Sequence, residues 1–469
     1  MSASSDAFTA FHVAELLRAK AQPAWEVYGE RARRYELHLS GARTEMIRAP
    51  VEVEGFGLRL FRPRDEQMGV GSAASTSLSE TAVLAALSEA EAVAQHSRFP
   101  ARRVELPGTA GHPASVEIVD REAWEHPVEA IQRVSHALTG PLDGRPGLAP
   151  SFGSVRLTLY DTTLTNSAGL HRRFSHTIVD YEFAVQSSGD AGGAPPGEHW
   201  VNSRARRLPS DAELAREVER WATLARDMRT AQAPATGATR VILPPSVLAD
   251  ILPTIVGFRM SGASQLRQMA PPVGSTVGAP SVTIRDDGLL AYGLGTAPCD
   301  DEGTSQSRRT LVEAGVAQGG LQDLLHAAAL GESSTGNGRR DAPLFPSWFH
   351  FTEGVGPAPT TLALAAGDGG TDAELMEACW DGIWIDQLGY AFPDPLSGAF
   401  GGEIRSAYRI RGGHRAEPLR GGTLGGIVFA PPGESSLLTS IRALGSRPEI
   451  AGALQAPAVL VEGMTVAGA

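Results

Sequence analysis

CDDEGTSQSRRTLVEAGV, residues 299–316, and GESSTGNGRR, residues 331–340, are the most distinctive stretches of the chain. The first opens with three consecutive acidic residues, starting at Asp300, and the second ends in the pair Arg339–Arg340. Paired carboxylates serve in acid–base catalysis or hold a divalent ion, but in glycine-rich company they are also typical of turns and solvated loops. Spacing alone leaves both interpretations open.

The sequence on either side of these stretches predicts a strand-rich domain. The chain contains Gly 53 and Pro 32, which are densest after residue 230. Glycines that separate short apolar runs indicate many turns and short strands. We therefore expect residues 236–469 to form a mostly antiparallel β domain.

Upstream, residues 1–235 predict a mixture of helices and strands. Helical periodicity covers residues 78–96 and 122–138, and alternating apolar residues at 152–187 predict a hairpin. The clearest helix spans residues 210–232, where Ser210 and Glu213 match a capping box. We expect an α+β subdomain at 1–110 and a middle strand-rich subdomain with a linker helix at 111–235. The predicted fold class is therefore α+β.

Composition excludes several functions. With Lys+Arg 41 against Asp+Glu 53, the formal net charge is −12, which argues against a non-specific nucleic-acid binder. The only lysine is Lys20, so the chain has no GxxxxGK[ST] phosphate loop, and no other residue could form a Schiff base. The HExxH, HExxxH, GxSxG and GxGxxG motifs are absent as well.

Two cysteines are too few for a zinc–thiolate cluster or a disulfide framework. Cys379 falls in a probable helix and is predicted to be a core residue. Cys299 precedes Asp300 and Asp301, and this neighbourhood would raise the pKa of the thiol and disfavour nucleophilic chemistry. The residues alone therefore exclude many chemistries and identify none.

The two opening stretches resemble the signature of the TldD/PmbA family, in which a DDEG-T loop leads into a later "stGNgrR" loop. Supporting similarity extends over essentially the whole chain, including Glu36–Ser40, Ser281–Gly288 and Val459–Gly468. The resemblance implies an N-terminal mixed α/β domain followed by a mostly antiparallel β domain of the TldD/PmbA type.

In this family, TldD-like chains carry HExxxH on the helix after the inter-domain linker, with a late cysteine as the third zinc ligand. Here the corresponding helix reads LPTIVGF at residues 252–258. Pro253 and Phe258 occupy the histidine positions, Thr254 occupies the glutamate position, and Leu444 lies in the segment that replaces the cysteine. Proline, phenylalanine and leucine offer no lone pair to zinc. The resemblance therefore implies no catalytic residue and no metal in this chain.

The resemblance implies a TldE (PmbA)-like, non-catalytic subunit that pairs with a TldD-like metallopeptidase subunit. The heterodimer would process or degrade unfolded peptides, with zinc held by the partner, and a homodimer is expected if no partner exists. By the same resemblance, the two loops would shape the cavity or bind peptide through six residues: Asp300, Asp301, Glu302, Asn337, Arg339 and Arg340.

An alternative from a different class stays open. The chain could be a stand-alone, metal-independent member that tailors peptide natural products or binds peptides, using its cysteines or its acidic loops. Residues 347–353 are unusually aromatic, and Trp380, Trp384 and Tyr390 lie close together in sequence. These aromatic residues predict core packing, with an aromatic-lined pocket as the other interpretation.

The sequence lacks the patterns that are typical of membrane-spanning helices and of signal peptides. No run reaches the roughly 18 apolar residues that a membrane helix needs, and the first 20 residues have no signal-peptide pattern. We expect a cytoplasmic protein with no membrane and no nucleic-acid partner.

Overall fold

The computed structural model describes residues 9–20, 22, 24–109, 114–189, 195–340, 347–431 and 433–468. The N-terminal part contains five helices and six strands in these described residues, besides a short 3₁₀ turn at Gly140–Leu142. In chain order they are α1 (Thr9–Ala19), β1 (Trp25–Ser40), β2 (Arg43–Arg64), β3 (Gln67–Ser75), α2 (Glu80–His96), α3 (Arg121–Glu125), α4 (Pro127–Thr139), β4 (Leu148–Asn166), β5 (His171–Ser187), β6 (Gly197–Ala205) and α5 (Asp211–Asp227).

The six strands form one antiparallel sheet in the order β3-β2-β1-β4-β5-β6. The predicted hairpin is confirmed as β4 and β5. Because β1 pairs with both β2 and β4, one sheet contains strands from both of the subdomains predicted at 1–110 and 111–235. The division of residues 1–235 into two subdomains stays a prediction.

The helices cover apolar side chains of this sheet. α4 and α5 pack with residues of β1, β4 and β5, whereas α1 and α2 pack with residues of β1 and β2. The predicted capping box of α5 is confirmed, since Ser210 and Glu213 bond each other's backbone N–H groups. Residues 122–138 are helical as predicted, but Pro127 divides them into two helices, because proline lacks the N–H that would continue the first helix beyond Glu125.

The C-terminal part is built from fifteen described strands and five helices. They are β7 (Gly237–Leu243), α6 (Pro245–Ala249), α7 (Leu252–Arg259), α8 (Gly262–Leu266), β8 (Ile284–Asp287), β9 (Arg308–Glu313), β10 (Val316–Ala317), α9 (Leu324–Leu330), β11 (Gly338–Arg340), β12 (Val355–Pro357), β13 (Leu362–Leu364), α10 (Asp372–Cys379), β14 (Gly382–Gly389), β15 (Ala399–Arg411), β16 (His414–Leu419), β17 (Thr423–Ile427), β18 (Ile441–Leu444), β19 (Glu449–Ala451), β20 (Leu454–Ala456) and β21 (Val459–Ala467).

Strand pairings in this part are antiparallel apart from two, β7 with β14 and β13 with β20. β14, β7, β21, β17 and β15 pair in turn, and β15 pairs back to β14, so the five strands close a ring. A second sheet runs in the order β10-β9-β8-β13-β20-β19. One apolar core spans the ring, the second sheet and the helices α6 and α7. The predicted α+β class and the mostly antiparallel C-terminal domain are confirmed.

Candidate functional site

α7 carries the positions at which the resemblance places two histidines and a glutamate. Leu252, Ile255 and Val256 are buried in the C-terminal core, whereas Pro253, Thr254 and Phe258 are only partly buried. Pro253 stands in the first helical turn, where its missing N–H costs no hydrogen bond. The three positions therefore share the more accessible side of an intact helix.

Leu444 ends β18 and is a core residue, 2% exposed. It belongs to the same apolar cluster as the buried residues of α7. None of these side chains can ligate zinc, so the residues present do not fit the metal. Within the described ranges, no three His, Cys, Asp or Glu side chains come together as metal ligands.

The two loops that opened the sequence analysis are bonded to each other. The carboxylate of Asp300 accepts hydrogen bonds from the backbone N–H of Gly338 at 2.8 Å and of Thr304 at 2.8 Å. Asp301 accepts from the backbone N–H of Arg340 at 2.6 Å, and its own N–H donates to the Gly338 carbonyl at 2.9 Å. The acidic residues therefore hold β11 in place through backbone groups.

Asn337 links this pair of loops to β8. Its side-chain amide donates to Asp286 at 2.7 Å and to the Ala358 carbonyl at 3.1 Å. The other oxygen of Asp286 accepts from the backbone N–H of Thr360 at 2.7 Å and from the Thr360 hydroxyl at 2.9 Å. A carboxylate bonded on both oxygens is a fixed structural anchor.

Glu302 and Arg340 connect the loops to the N-terminal sheet. One oxygen of Glu302 bonds the guanidinium of Arg59, and the other accepts from the Leu324 N–H at 2.7 Å. Arg59 also reaches Glu26 with Nε at 2.9 Å. Arg340 lies over the ring of Tyr28 at 5.0 Å and is 3.8 Å from Glu26. A buried charge network therefore joins the two halves of the molecule.

Burial shifts the ionisation of this network. Burial raises the pKa of Asp300 to about 7 and that of Asp286 to about 6, and it also raises the pKa of Glu302. Burial alone would lower the pKa of Arg59, but the charges of Glu26 and Glu302 raise it. Arg59 is therefore a permanent cation around which the carboxylates are arranged.

The structure brings all six sequence-predicted cavity residues together. Five of them are buried, and only Arg339 is partly exposed, with Nη1 donating to the Gly295 carbonyl at 3.3 Å. Their role towards peptide stays a prediction. Sequence reasoning missed Glu26 and Arg59, which are directly paired on β1 and β2. Both strands carry many other charged residues, so no local signal distinguishes this pair in the sequence.

The cysteines are both buried, as predicted for Cys379. Burial, followed by the charges of Asp300 and Asp301, raises the pKa of the Cys299 thiol. Burial raises the pKa of Cys379 to about 11. Neither thiol is activated as a nucleophile, because nucleophilic attack needs the thiolate.

A cleft of about 1190 Å³ lies between the N-terminal sheet with α5 and the C-terminal part. We call it the inter-domain cleft. Trp348 and Trp384 are among its lining residues, together with charged residues from both halves. Sequence reasoning missed this cleft, because its walls combine many short segments from both halves of the chain.

The prediction that the aromatic residues pack in the core is only partly correct. Phe351 and Trp384 are buried, whereas Trp380 is 62% exposed and Tyr390 is 76% exposed. Both exposed residues follow the end of an element and have positive φ angles, 60° and 48°. Neither of these two side chains contributes to the core.

The described part of the chain holds no helix that is both long and apolar enough to cross a membrane.

Comparisons with known proteins give consistent similarities. The model of the PmbA/TldA metallopeptidase C-terminal domain matches residues 236–468. The chain is 28% identical over 281 residues to the metalloprotease TldD homolog of Haemophilus influenzae, covering 59% of this chain and 56% of that protein. It is 27% identical over 226 residues to an uncharacterized protein of Methanocaldococcus jannaschii, covering 48% and 49% respectively. The chain thus spans about half the length of these relatives.

The fold is similar to that of TldE from Thermococcus kodakarensis. The two structures superpose with a TM-score of 0.80 at 18% identity, covering 97% of this chain and 100% of that one. At this identity the likeness concerns the fold alone.

Proposed function

Because this chain belongs to the TldD/PmbA metallopeptidase family and has a TldE-like fold, we propose that it is the non-catalytic subunit of a heterodimeric zinc metallopeptidase. In this proposal, zinc and the catalytic residues belong to a TldD-like partner. The complex processes or degrades unfolded peptides in the cytoplasm.

The side chains of α7 carry this proposal. The helix is intact and its accessible side is formed by Pro253, Thr254 and Phe258. None of them can hold a metal, and a threonine hydroxyl is too weak a base at neutral pH to replace a carboxylate. The chain therefore keeps the helix but lacks the zinc ligands and the general base, which suits a structural partner of an active chain.

The buried charge network supports the same role. The side chains of Asp300, Asp301 and Asn337 form hydrogen bonds with backbone groups and side chains of the chain itself. Glu302 and Arg340 do so between the two halves of the molecule. These residues therefore act as a frame that fixes the C-terminal domain against the N-terminal sheet, rather than as acids or bases.

Co-expression with a TldD-like chain that carries HExxxH and a late cysteine tests the proposal. We expect a complex of equal stoichiometry, with one zinc per complex by elemental analysis and peptidase activity that chelator removes. This chain purified alone should contain no stoichiometric zinc and should cleave no unfolded casein. Casein cleavage by the lone chain in chelator would instead support the stand-alone alternative, for which the buried, unactivated cysteines provide no nucleophile.

A further inference from the structure

The inter-domain cleft has the size of a ligand site. Its volume of about 1190 Å³ exceeds the few hundred Å³ that enclose a small molecule and would admit several residues of an extended chain. One side is the polar face of the N-terminal sheet, and the opposite side is formed by α6, α10, β14 and β19 of the C-terminal part.

On the strands of the sheet side, arginines outnumber carboxylates, since Arg34, Arg156 and Arg204 line the cleft together with Asp180. A row of directly paired residues crosses five strands with alternating sign: Arg48, Glu36, Arg156, Asp180 and Arg204. Glu36 is 3.3 Å from Arg48 and 2.7 Å from Arg156, and Asp180 is 3.4 Å from Arg204. This face therefore offers its ligand no unpaired carboxylate.

The opposite side carries carboxylates without such partners. Asp250, Asp372 and Glu449 face the cleft and are exposed, and no described residue forms an ion pair or a hydrogen bond with their side chains. The surrounding protein raises the pKa of all three carboxyls, that of Asp250 to about 6. Burial is the main cause of each raised pKa; the charges of Arg415 and Arg447 oppose it at Asp372 and that of Arg220 opposes it at Glu449, whereas burial acts alone at Asp250. We call them, with Asp386, the acidic wall.

Asp386 adds a buried carboxylate whose hydrogen bonding is incomplete. Its side chain is only 2% exposed, and its Oδ1 accepts from the Trp384 indole N–H at 3.2 Å. Arg220 and Arg415 approach Oδ1 only to 3.7 and 3.9 Å, and Oδ2 has no hydrogen-bond donor among the described residues. A buried carboxylate oxygen without a donor is costly, and its negative charge adds to the potential that a ligand cation meets in the cleft.

The nearby arginines do not complete the hydrogen bonding of Asp386. Arg220 is committed to Glu217 at 2.8 Å. Arg415 lies over the ring of Trp384 at 4.7 Å and over that of Tyr408 at 5.1 Å. Because Arg220 belongs to α5, the C-terminal side has two arginines, Arg415 and Arg447, against the four carboxylates of the acidic wall, and it remains negative. A divalent metal is a poor fit, because no three described ligands converge.

We propose that the inter-domain cleft binds an extended peptide and that the acidic wall receives one of its basic side chains. The inference rests on the proposed function for the choice of a peptide as ligand, and it adds a preference for Lys or Arg. An ammonium or guanidinium group supplies the several donors that the carboxylates lack. On the sheet side, the arginines of the charge row can donate hydrogen bonds to peptide carbonyls.

Fluorescence anisotropy on the purified chain tests the proposed preference for a basic residue directly. Three labelled octapeptides of serine and alanine would differ only at one central residue: lysine, norleucine or glutamate. We expect the lysine peptide to bind roughly tenfold more tightly than the norleucine peptide and the glutamate peptide to bind weakest. Equal affinities for lysine and norleucine, or a preference for glutamate, would overturn the inference.

A matched pair of double variants locates the site. Asp372→Asn with Glu449→Gln should remove the lysine preference and leave norleucine binding unchanged. Asp368→Asn with Glu313→Gln changes the same residue types at exposed positions outside the cleft and should preserve the preference. If both double variants behave alike, the lysine is bound elsewhere. Because the assay needs no partner chain, its result is independent of complex formation.

Discussion

At the scale of single residues, Glu302 is the most informative member of the buried charge network. The family signature identifies it in the sequence, but its partner Arg59 lies 243 positions away, on β2. Nothing in the local pattern predicts that a glycine-rich acidic loop would be buried, since such loops are usually solvated. The residue's position could therefore be predicted from sequence, and its environment could not.

Glu302→Gln should destabilise the protein by about 3 kcal/mol, because it removes one partner of a buried ion pair and leaves Arg59 with Glu26 alone. The measurement is urea unfolding of the purified chain. Glu313→Gln, at an exposed position, should change stability by less than about 0.5 kcal/mol. Equal effects of the two substitutions would contradict the structural role of Glu302.

His350 forms a second charged contact between the two halves. Its Nδ1 is 2.8 Å from Glu30, its backbone N–H donates to the same carboxylate at 2.8 Å, and the Tyr28 hydroxyl donates to it at 2.8 Å. Burial alone would lower the pKa of His350, but the charge and hydrogen bond of Glu30 outweigh burial and raise it. The folded protein therefore holds this histidine protonated more strongly than the unfolded chain does.

This raised pKa gives a pH dependence of stability with a definite sign. The contribution of His350 is fully present below its unfolded pKa of about 6.5 and is lost as pH rises through the higher folded pKa. We expect the free energy of unfolding to fall as pH rises above about 6.5, and His350→Gln to flatten that slope. His414→Gln, at an exposed position on β16, is the control and should leave the slope intact. An unchanged slope in His350→Gln would exclude the contact as its source.

At the scale of elements, sequence patterns that depend only on neighbouring residues predict helices correctly. The capping box of α5 and its buried stripe of Leu214, Val218, Trp221 and Ala225 were readable directly, because helical periodicity is local. Pro127 is a local signal too, because a proline limits a helix at its own position, and the structure has a separate helix on each side of His126. α7 was recognised by resemblance, and only the structure reveals which of its sides is accessible.

The accessible side of α7 leads to a prediction about the complex. Thr254→Ala, in a complex with an active TldD-like chain, should leave peptidase activity within about twofold, because the hydroxyl performs no acid–base step. The assay is cleavage of unfolded casein by the purified complex. As the matched control, Glu→Gln in the partner's HExxxH should abolish cleavage. A loss of about 100-fold in Thr254→Ala would instead place this side chain in the reaction.

At the scale of the whole molecule, the order of strands and the cleft were beyond the sequence. β1 pairs with β4 across more than 100 intervening residues, so one sheet spans the predicted border at residue 110. The acidic wall collects Asp250, Asp372, Asp386 and Glu449 from four separate elements, which no spacing rule connects. Fold class could be predicted because it follows from composition and pattern, whereas the cleft depends on how distant elements pack.

The proposed function places zinc and the catalytic residues in a TldD-like partner and none in this chain. Native mass spectrometry of the two co-expressed chains, combined with zinc analysis of each subunit, measures this directly. We expect a complex with equal numbers of the two chains and with zinc in the partner only. Stoichiometric zinc bound to this chain, or failure of the two co-expressed chains to form a complex, would refute the proposal.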